Sequence, residues 1–447
     1  MKKNIYFISV AVFIAAVVFI FFRYQAKEKN KEEKVFYLLE RSGSTAATDE
    51  WKQVRAQANT LVQKLQDNPD DEAAKIALAT LYIREARVTG NYIYYDQAAM
   101  KCVNDLLKRN ANNFEALSLK AMIFLSEHHF SEALVTAKKA VSINPYNAFV
   151  YGTMVDGYVE MGDYKAAVGS LEKMISIRPD MRSYARVSYL REIHGDYPGA
   201  IEAMKLAVDA GAPGDESTAW TRVQLGYLFE KSGDMKSAEM NYILALEERP
   251  AYAYALAGMA RMAVIQKKYD DAIALYRQAD STIHDYSLKE ALSDVYLLKG
   301  EKEKADEIAR GIVSDMINTT KKEAMEDSTG HYSDRELAYA YLKVQDTDKA
   351  LDYALAEYNR RPENIDVNET VAWVYYSKGE YAKALPHLKV AMKTNSRNPT
   401  LLCRAGLIYS KSGDRSTAKS LLQQVLAGNA NISNDLKSEG EKALQNL

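Results

Sequence analysis

His128 and His129 form the only adjacent histidine pair in the chain. Neighbouring residues on a helix point about 100° apart, so the two rings cannot share one metal ion well. No His-Glu-x-x-His, paired Cys-x-x-Cys, glycine-rich phosphate loop ahead of a lysine, or Gly-x-Ser-x-Gly is present. The histidines are expected to be solvated turn residues. Cys102 and Cys403 lie 301 residues apart and are expected to pack singly as small hydrophobes. The carboxylates are spread at ordinary density, and nothing gathers a nucleophile, a base and an oxyanion site. The expectation is a protein that is not an enzyme and carries no cofactor and no metal.

Composition narrows the remaining classes. The chain has 447 residues, is 47% hydrophobic and has a formal net charge of -2. That is ample for a core and offers no basic stripe, so a nucleic-acid partner is not expected. Lys2 and Lys3 precede an apolar run over residues 5–22, broken only by Ser9. Eighteen residues make about 27 Å of helix, close to the ~30 Å of a hydrocarbon core. The run ends in bulky Ile20, Phe21 and Phe22 and no cysteine follows. An uncleaved transmembrane anchor is therefore preferred to a cleaved signal. The second flank carries Arg23, Lys27, Lys29, Lys31 and Lys34, which by count alone favours a cytoplasmic body. The short dilysine start has the shape of an export signal, and the expectation leans to a single-pass inner-membrane protein with a periplasmic body.

The rest of the chain is organised by a recurring alanine, at Ala98, Ala133, Ala167, Ala200, Ala238, Ala272, Ala305, Ala350, Ala384 and Ala418. The successive gaps are 35, 34, 33, 38, 34, 33, 45, 34 and 34 residues. A period in this range marks a solenoid of helical hairpins. Turns are legible at Met161-Gly-Asp-Tyr164, His194-Gly-Asp-Tyr197, Ser232-Gly-Asp-Met235, Lys378-Gly-Glu-Tyr381 and Ser412-Gly-Asp414. There glycine ends one helix in the left-handed region and the acid caps the next. Pro145, Pro179, Pro250 and Pro362 fall in the links after second helices. Ala121, Gly226, Ala260, Ala338, Ala372 and Gly406 occupy one position of the first helix, opposite the recurring alanine. Small residues on both sides let the helices approach to about 8 Å. Larger residues such as Phe124, Tyr158, Phe229, Tyr296, Tyr341, Tyr375 and Tyr409 fill the space beside that contact.

This pattern resembles the tetratricopeptide repeat (TPR) family. Leu225-Gly226-x-x-Phe229 is followed by Ala238 and Pro250, and Ala405-Gly406-x-x-Tyr409 by Ala418. Tyr158, Gly162, Ala167 and Pro179 repeat the pattern. The resemblance implies an all-α, right-handed superhelical solenoid of about ten hairpins in a bacterial, membrane-anchored protein. It also implies a concave groove, lined by first helices, that takes a protein or peptide. Groove-facing residues would then be Phe149, Asp156, Tyr189, Trp220, Tyr227, Glu230, Tyr254, Arg261, Asp294, Arg335, Tyr339, Trp373 and Tyr376. Aromatic and arginine side chains are the usual anchors of protein interfaces.

The expected organisation is a membrane segment at 1–22, a linker at 23–48, a capping helix at 49–69 starting at Asp49, the solenoid at 70–428 and a C-terminal capping helix at 429–447. Three places depart from the period and are expected to be loop insertions: 89–96, where about seven extra residues enlarge the first turn, 211–217 and 316–333. The preferred function is a membrane-tethered TPR scaffold in cell-envelope assembly or secretion. The alternatives are an RNA-binding helical-repeat protein of pentatricopeptide type, opposed by the charge and the anchor, and an enzyme whose site lies in an insertion.

Overall fold

A computed structural model describes residues 12–23, 35–326, 330–428 and 431–447. The chain divides into two units, residues 1–40 and 41–447. In the first, residues 12–23 are helical. The remainder of the expected anchor lies outside the described residues. Among the described residues no helix is long and apolar enough to cross a membrane.

The second unit is all helix, with no strand among the described residues. After a short 3-10 helix, Gly43–Ala47, comes helix Asp49–Asp67. Its cap is Thr48, whose hydroxyl accepts from the Trp51 amide at 3.2 Å, one residue ahead of the Asp49 expected from the sequence. Ten hairpins follow among the described residues. The first pairs Glu72–Thr89 with Tyr92–Arg109, the second Phe114–Ser126 with Phe130–Ile143, and the third Ala148–Met161 with Tyr164–Ile177. The fourth pairs Met181–Ile193 with Tyr197–Asp209, the fifth Glu216–Ser232 with Met235–Glu248, and the sixth Ala253–Ile265 with Tyr269–Asp280. The seventh pairs Tyr286–Leu298 with Lys302–Glu326, the eighth Asp334–Lys343 with Thr347–Arg360. The ninth pairs Ile365–Ser377 with Tyr381–Ala391 and the tenth Pro399–Ser412 with Arg415–Ala427. Helix Asn434–Gln445 closes the chain.

The local chemistry explains the hairpins. Asp163, Asp196, Asp234, Asp346 and Asp414 each accept an amide of the first turn they precede. Where glycine is missing from the turn, His128, Lys267 and Gln345 take the left-handed conformation instead, at φ 61°, 59° and 62°. The recurring alanines are buried against the small residues of the first helices. One exception is instructive. In the fifth hairpin Tyr242 fills the space that two glycines leave: a Cβ on Gly226 would meet its ring at 2.4 Å and one on Gly258 at 2.6 Å.

Two of the three expected loop insertions are helix. The first turn holds only Gly90 and Asn91, and the extra residues lengthen the flanking helices to 18 residues each. The stretch from Met316 first continues a 25-residue helix to Glu326 before any link begins. Residues 210–215 form a loop, and residues 330–333 of the third insertion carry no helix.

The hairpins coil until one superhelical turn rests on the next. The turn of the first hairpin meets the link before the seventh, with the His284 amide donating to the Thr89 carbonyl at 3.0 Å. The second meets the link before the eighth, where the Tyr332 amide donates to the Glu127 carbonyl at 3.2 Å. The third meets the link before the ninth: Asn364 Nδ2 donates to the Glu160 carbonyl at 3.0 Å, the Ile365 amide to Tyr164 Oη at 3.0 Å, and Arg361 pairs with Glu160. In the fifth, the Asn431 amide donates to the Glu230 carbonyl at 3.2 Å. A Cβ on Gly90, Gly162 or Gly195 would lie 2.2, 2.3 or 2.6 Å from a carbonyl oxygen of the apposed link. Gly300 and Gly413, in hairpins with nothing six repeats ahead, face open space.

That contrast is measurable. Gly162 and Gly413 share a left-handed backbone, at φ 80° and 91°. Gly413→Ala should cost only the conformational penalty, about 1–2 kcal/mol. Gly162→Ala should cost a further 1–3 kcal/mol or so from the clash with the next turn. Urea unfolding of both variants decides it, and equal losses would remove the stacked-turn geometry.

Candidate functional site

The inner face of the coil is built from the first helices, one from each hairpin. The structure binds these helices together by a ladder of polar contacts. Arg186 of the fourth hairpin grips Asp156 of the third with two bonds of 2.9 and 2.5 Å. Lys231 of the fifth reaches Glu192 of the fourth at 2.5 Å. Arg261 of the sixth pairs with Glu230 of the fifth at 2.9 Å. Lys343 of the eighth pairs with Asp294 of the seventh. Arg335 Nε of the eighth donates to Thr370 of the ninth at 3.2 Å. Arg404 of the tenth pairs with Glu369 of the ninth at 2.9 Å and reaches back to Tyr339 Oη at 2.9 Å.

Of the residues expected in the groove, Asp156, Glu230, Arg261, Asp294, Arg335 and Tyr339 thus join this ladder. Aromatic faces are covered by guanidiniums: Arg182 lies 5.6 Å from the Phe149 ring centre, Arg261 4.1 Å from Tyr227, and Arg404 4.8 Å from Trp373. Arg87 of the first hairpin sits 6.0 Å from Trp220 of the fifth and pairs with Glu216 at 3.2 Å, so the inner face meets itself across four hairpins. Tyr254 is half-buried. Tyr189 is 38% exposed. Even so, burial, with Asp366, Glu160 and Glu192 nearby, raises its hydroxyl pKa.

Two expectations need correction. Tyr376 is 8% exposed, packs in the core of the last hairpins, and donates to Glu439 of the final helix at 2.6 Å. Glu230 is 3% exposed, and its carboxylate is held by Arg261, Tyr242 and Asn431. Neither offers a free group. Residues the sequence reading missed are Glu160, Arg182, Arg186, Asp366 and Arg404. The 30- to 35-residue spacing of the Asp156–Arg186 and Glu369–Arg404 pairs, about one repeat, was the available signal.

Charge is uneven along this face. Burial opposes the Arg335 charge, but Asp366, Tyr339, Glu336 and Glu369 outweigh it and raise the pKa. Burial raises the Glu290 carboxyl to about 7, against Lys343 and reinforced by Asp294 and Glu336. Around Arg182 the sign reverses: burial lowers its pKa, Asp180 opposes that, and Arg186, Arg87 and Arg178 add to the lowering.

His194 is an exposed turn residue as expected, but His128 and His129 are not. At the contact between the second and eighth hairpins, His128 Nδ1 lies 2.7 Å from the Tyr332 carbonyl and His129 Nε2 2.8 Å from that of Gly330. His128 and His331 rings are 4.3 Å apart. Cys403 is buried and Cys102 half-buried, both as free thiols. No group that could hold a metal ion occurs among the described residues.

The same junction makes stability depend on pH. Burial raises the Asp96 carboxyl to about 7, Ser126 opposing and Glu127 assisting. Burial lowers His331 to about 3, with His128 and His129 adding. Asp96 therefore contributes stability at low pH that is lost as pH rises through about 7. His331 contributes stability above about 6.5 that is lost as pH falls toward 3. Between these values the two slopes oppose. Asp96→Asn should raise stability by a few kcal/mol at pH 7.5 and by less at pH 5, leaving His331's positive slope. Urea midpoints at both pH values test this; an equal gain at both would show that Asp96 is ionised in the fold.

Comparison with known proteins bears on the fold. Residues 50–194 match the family model for ChAPs, the Chs5p-Arf1p-binding proteins, and residues 223–287 match a tetratricopeptide repeat model. Tetratricopeptide repeat protein 21A of Mus musculus is 21% identical over 345 residues, which are 71% of this chain and 25% of that protein. The chain thus spans a quarter of the length of the curated relative it matches. A thermophilic TPR protein of Thermus thermophilus is similar at 21% identity and TM-score 0.35, over 40% of this chain and 92% of that one. The human IFIT1 dimer with m7Gppp-AAAA is similar at 13% identity and TM-score 0.48, over 78% of each chain. With ten helical hairpins among the described residues, the chain is an all-helical repeat solenoid, and its residues 223–287 match a tetratricopeptide repeat.

Proposed function

We propose that this protein is a non-enzymatic scaffold that holds a protein or peptide partner along the inner face of its solenoid. The observation that carries the reading is the lining itself. Tyr189, Phe149, Trp220, Tyr254 and Trp373 present aromatic surface on helices already fixed to one another by ion pairs. Rigid aromatic and arginine groups bind at low entropic cost, because few of their rotamers remain to be lost. The ChAPs model matched at residues 50–194 is named for protein binding, which supports the same reading. The slight negative charge disfavours a nucleic-acid ligand.

The proposal includes a tether. The apolar run at 5–22 serves as a single transmembrane anchor in a bacterial inner membrane, with the solenoid in the periplasm, where it serves envelope assembly or secretion. A photo-crosslinking amino acid at Tyr189 should capture one protein partner in living cells. The same group at Val135, which is 67% exposed on the second helix of its hairpin, should not. Equal capture from both positions, or none from Tyr189, would defeat the groove reading. Alkaline phosphatase fused after Leu447 should be active; an inactive fusion with a fluorescent C-terminal reporter would reverse the orientation.

A further inference from the structure

The inner face is not electrically uniform, and its net-positive stretch carries a cation with no ion-paired carboxylate among the described residues. Arg182 lies exposed on the first helix of the fourth hairpin, with its guanidinium over Phe149. It forms no ion pair or side-chain hydrogen bond with any described residue. Its neighbours Arg186, Arg178 and Arg87 are engaged, by Asp156, Asp180 and Glu216. Four guanidiniums therefore face three carboxylates, and Arg182 is the cation left over. Elsewhere along the face the balance is the opposite. Arg335 stands among Asp366, Glu336 and Glu369, and Lys343 among Glu290, Asp294 and Glu336.

We propose that the stretch formed by Arg182, Arg186, Arg87, Phe149 and Trp220 binds an acidic peptide segment of the partner. This rests on the inner-face reading above. Charge complementarity selects the occupant. A carboxylate side chain near Arg182 gains a charge-assisted bond that no carboxylate of the described chain supplies, and it relieves the repulsion from the neighbouring guanidiniums. Phe149 and Trp220, each with a guanidinium on one face, add apolar edges for the side chains between successive acids. An acidic segment placed at the Glu290–Asp294–Glu336 stretch would meet repulsion instead, so the charge pattern also fixes which end of the face the segment occupies.

The test uses the full chain in detergent and two fluorescein-labelled decapeptides, one of alternating glutamate and tyrosine and one of alternating glutamine and tyrosine. Fluorescence anisotropy at low salt should show the glutamate peptide binding at least about tenfold more tightly, which is about 1.4 kcal/mol. The preference should shrink as salt rises. Arg182→Glu should abolish it, while Arg182→Lys should retain part of it and Lys236→Glu, exposed on the fifth hairpin's second helix, all of it. Circular dichroism checks that each variant is folded. Equal binding of the two peptides, no binding of either, or an unchanged preference in Arg182→Glu overturns the acidic-segment assignment. Equal binding that is lost in Trp220→Ala would keep the inner face as the site while rejecting its charge selectivity. Crosslinking from Tyr189 reports on the broader reading independently.

Discussion

The coil of the solenoid depends on the contact between the turns of the leading hairpins and the links six hairpins ahead. It occurs at Thr89 with His284, at Glu127 with Tyr332, at Glu160 with Asn364 and at Glu230 with Asn431. A solenoid whose repeats touch only their neighbours is a one-dimensional object, and small errors in packing angle accumulate along it. Here the sixth successor closes the loop. The angle between adjacent hairpins must sum to one turn over six, and the small-residue contacts at Ala121, Ala260, Ala338 and Ala372 hold that angle by fixing how closely the two helices of a hairpin approach. The turn glycines then answer two demands at once: a left-handed backbone, and at Gly90, Gly162 and Gly195 the absence of a Cβ where a carbonyl from the next turn passes.

Much of this was legible in the sequence. The alanine period gave the hairpins, and Gly-Asp pairs placed the turns, because both are local rules acting within one helix or between two adjacent ones. What was missed is non-local or has more than one chemical solution. The left-handed turn position at His128, Lys267 and Gln345 carries no glycine to announce it. At His128 the side chain has a further task, since its ring bonds the apposed Tyr332 carbonyl. No rule of spacing links positions 204 residues apart. The added lengths after Thr89 and Met316 were read as loops because the period broke there, yet a break in period says only that residues were added. The structure extends the flanking helices there instead. The site divides the same way. That the first helices line an inner face follows from the family pattern. Which lining residues are free does not, because Tyr376 is covered by the final helix and Glu230 is consumed by Arg261, Tyr242 and Asn431.

The ion-pair ladder has a physical consequence for recognition. Each pair joins the first helices of neighbouring hairpins, the same interface that sets the superhelical angle. The charged groups are half-buried, where an effective dielectric well below that of water strengthens them and where a missing partner is costly. Arg261 shows the balance: burial opposes its charge, while Tyr227, Glu230 and Tyr242 more than compensate. Such a lining is fixed before any ligand arrives, so binding spends little on ordering it.

Stacked turns also restrict how a ligand reaches that lining. In an open solenoid the concave face is approached from the side. Here the gaps between turns are bridged at the second and eighth hairpins by His128 and His129, and at the third and ninth by Arg361, Asn364 and Tyr164. Across the coil, Arg87 meets Glu216. A bulky folded ligand would have to break these bridges. An extended segment, entering along the axis, leaves them intact and meets successive first helices in order. The geometry therefore favours extended chains over preformed helices or globular domains. It does so through the same turn-to-link contacts that hold the coil together.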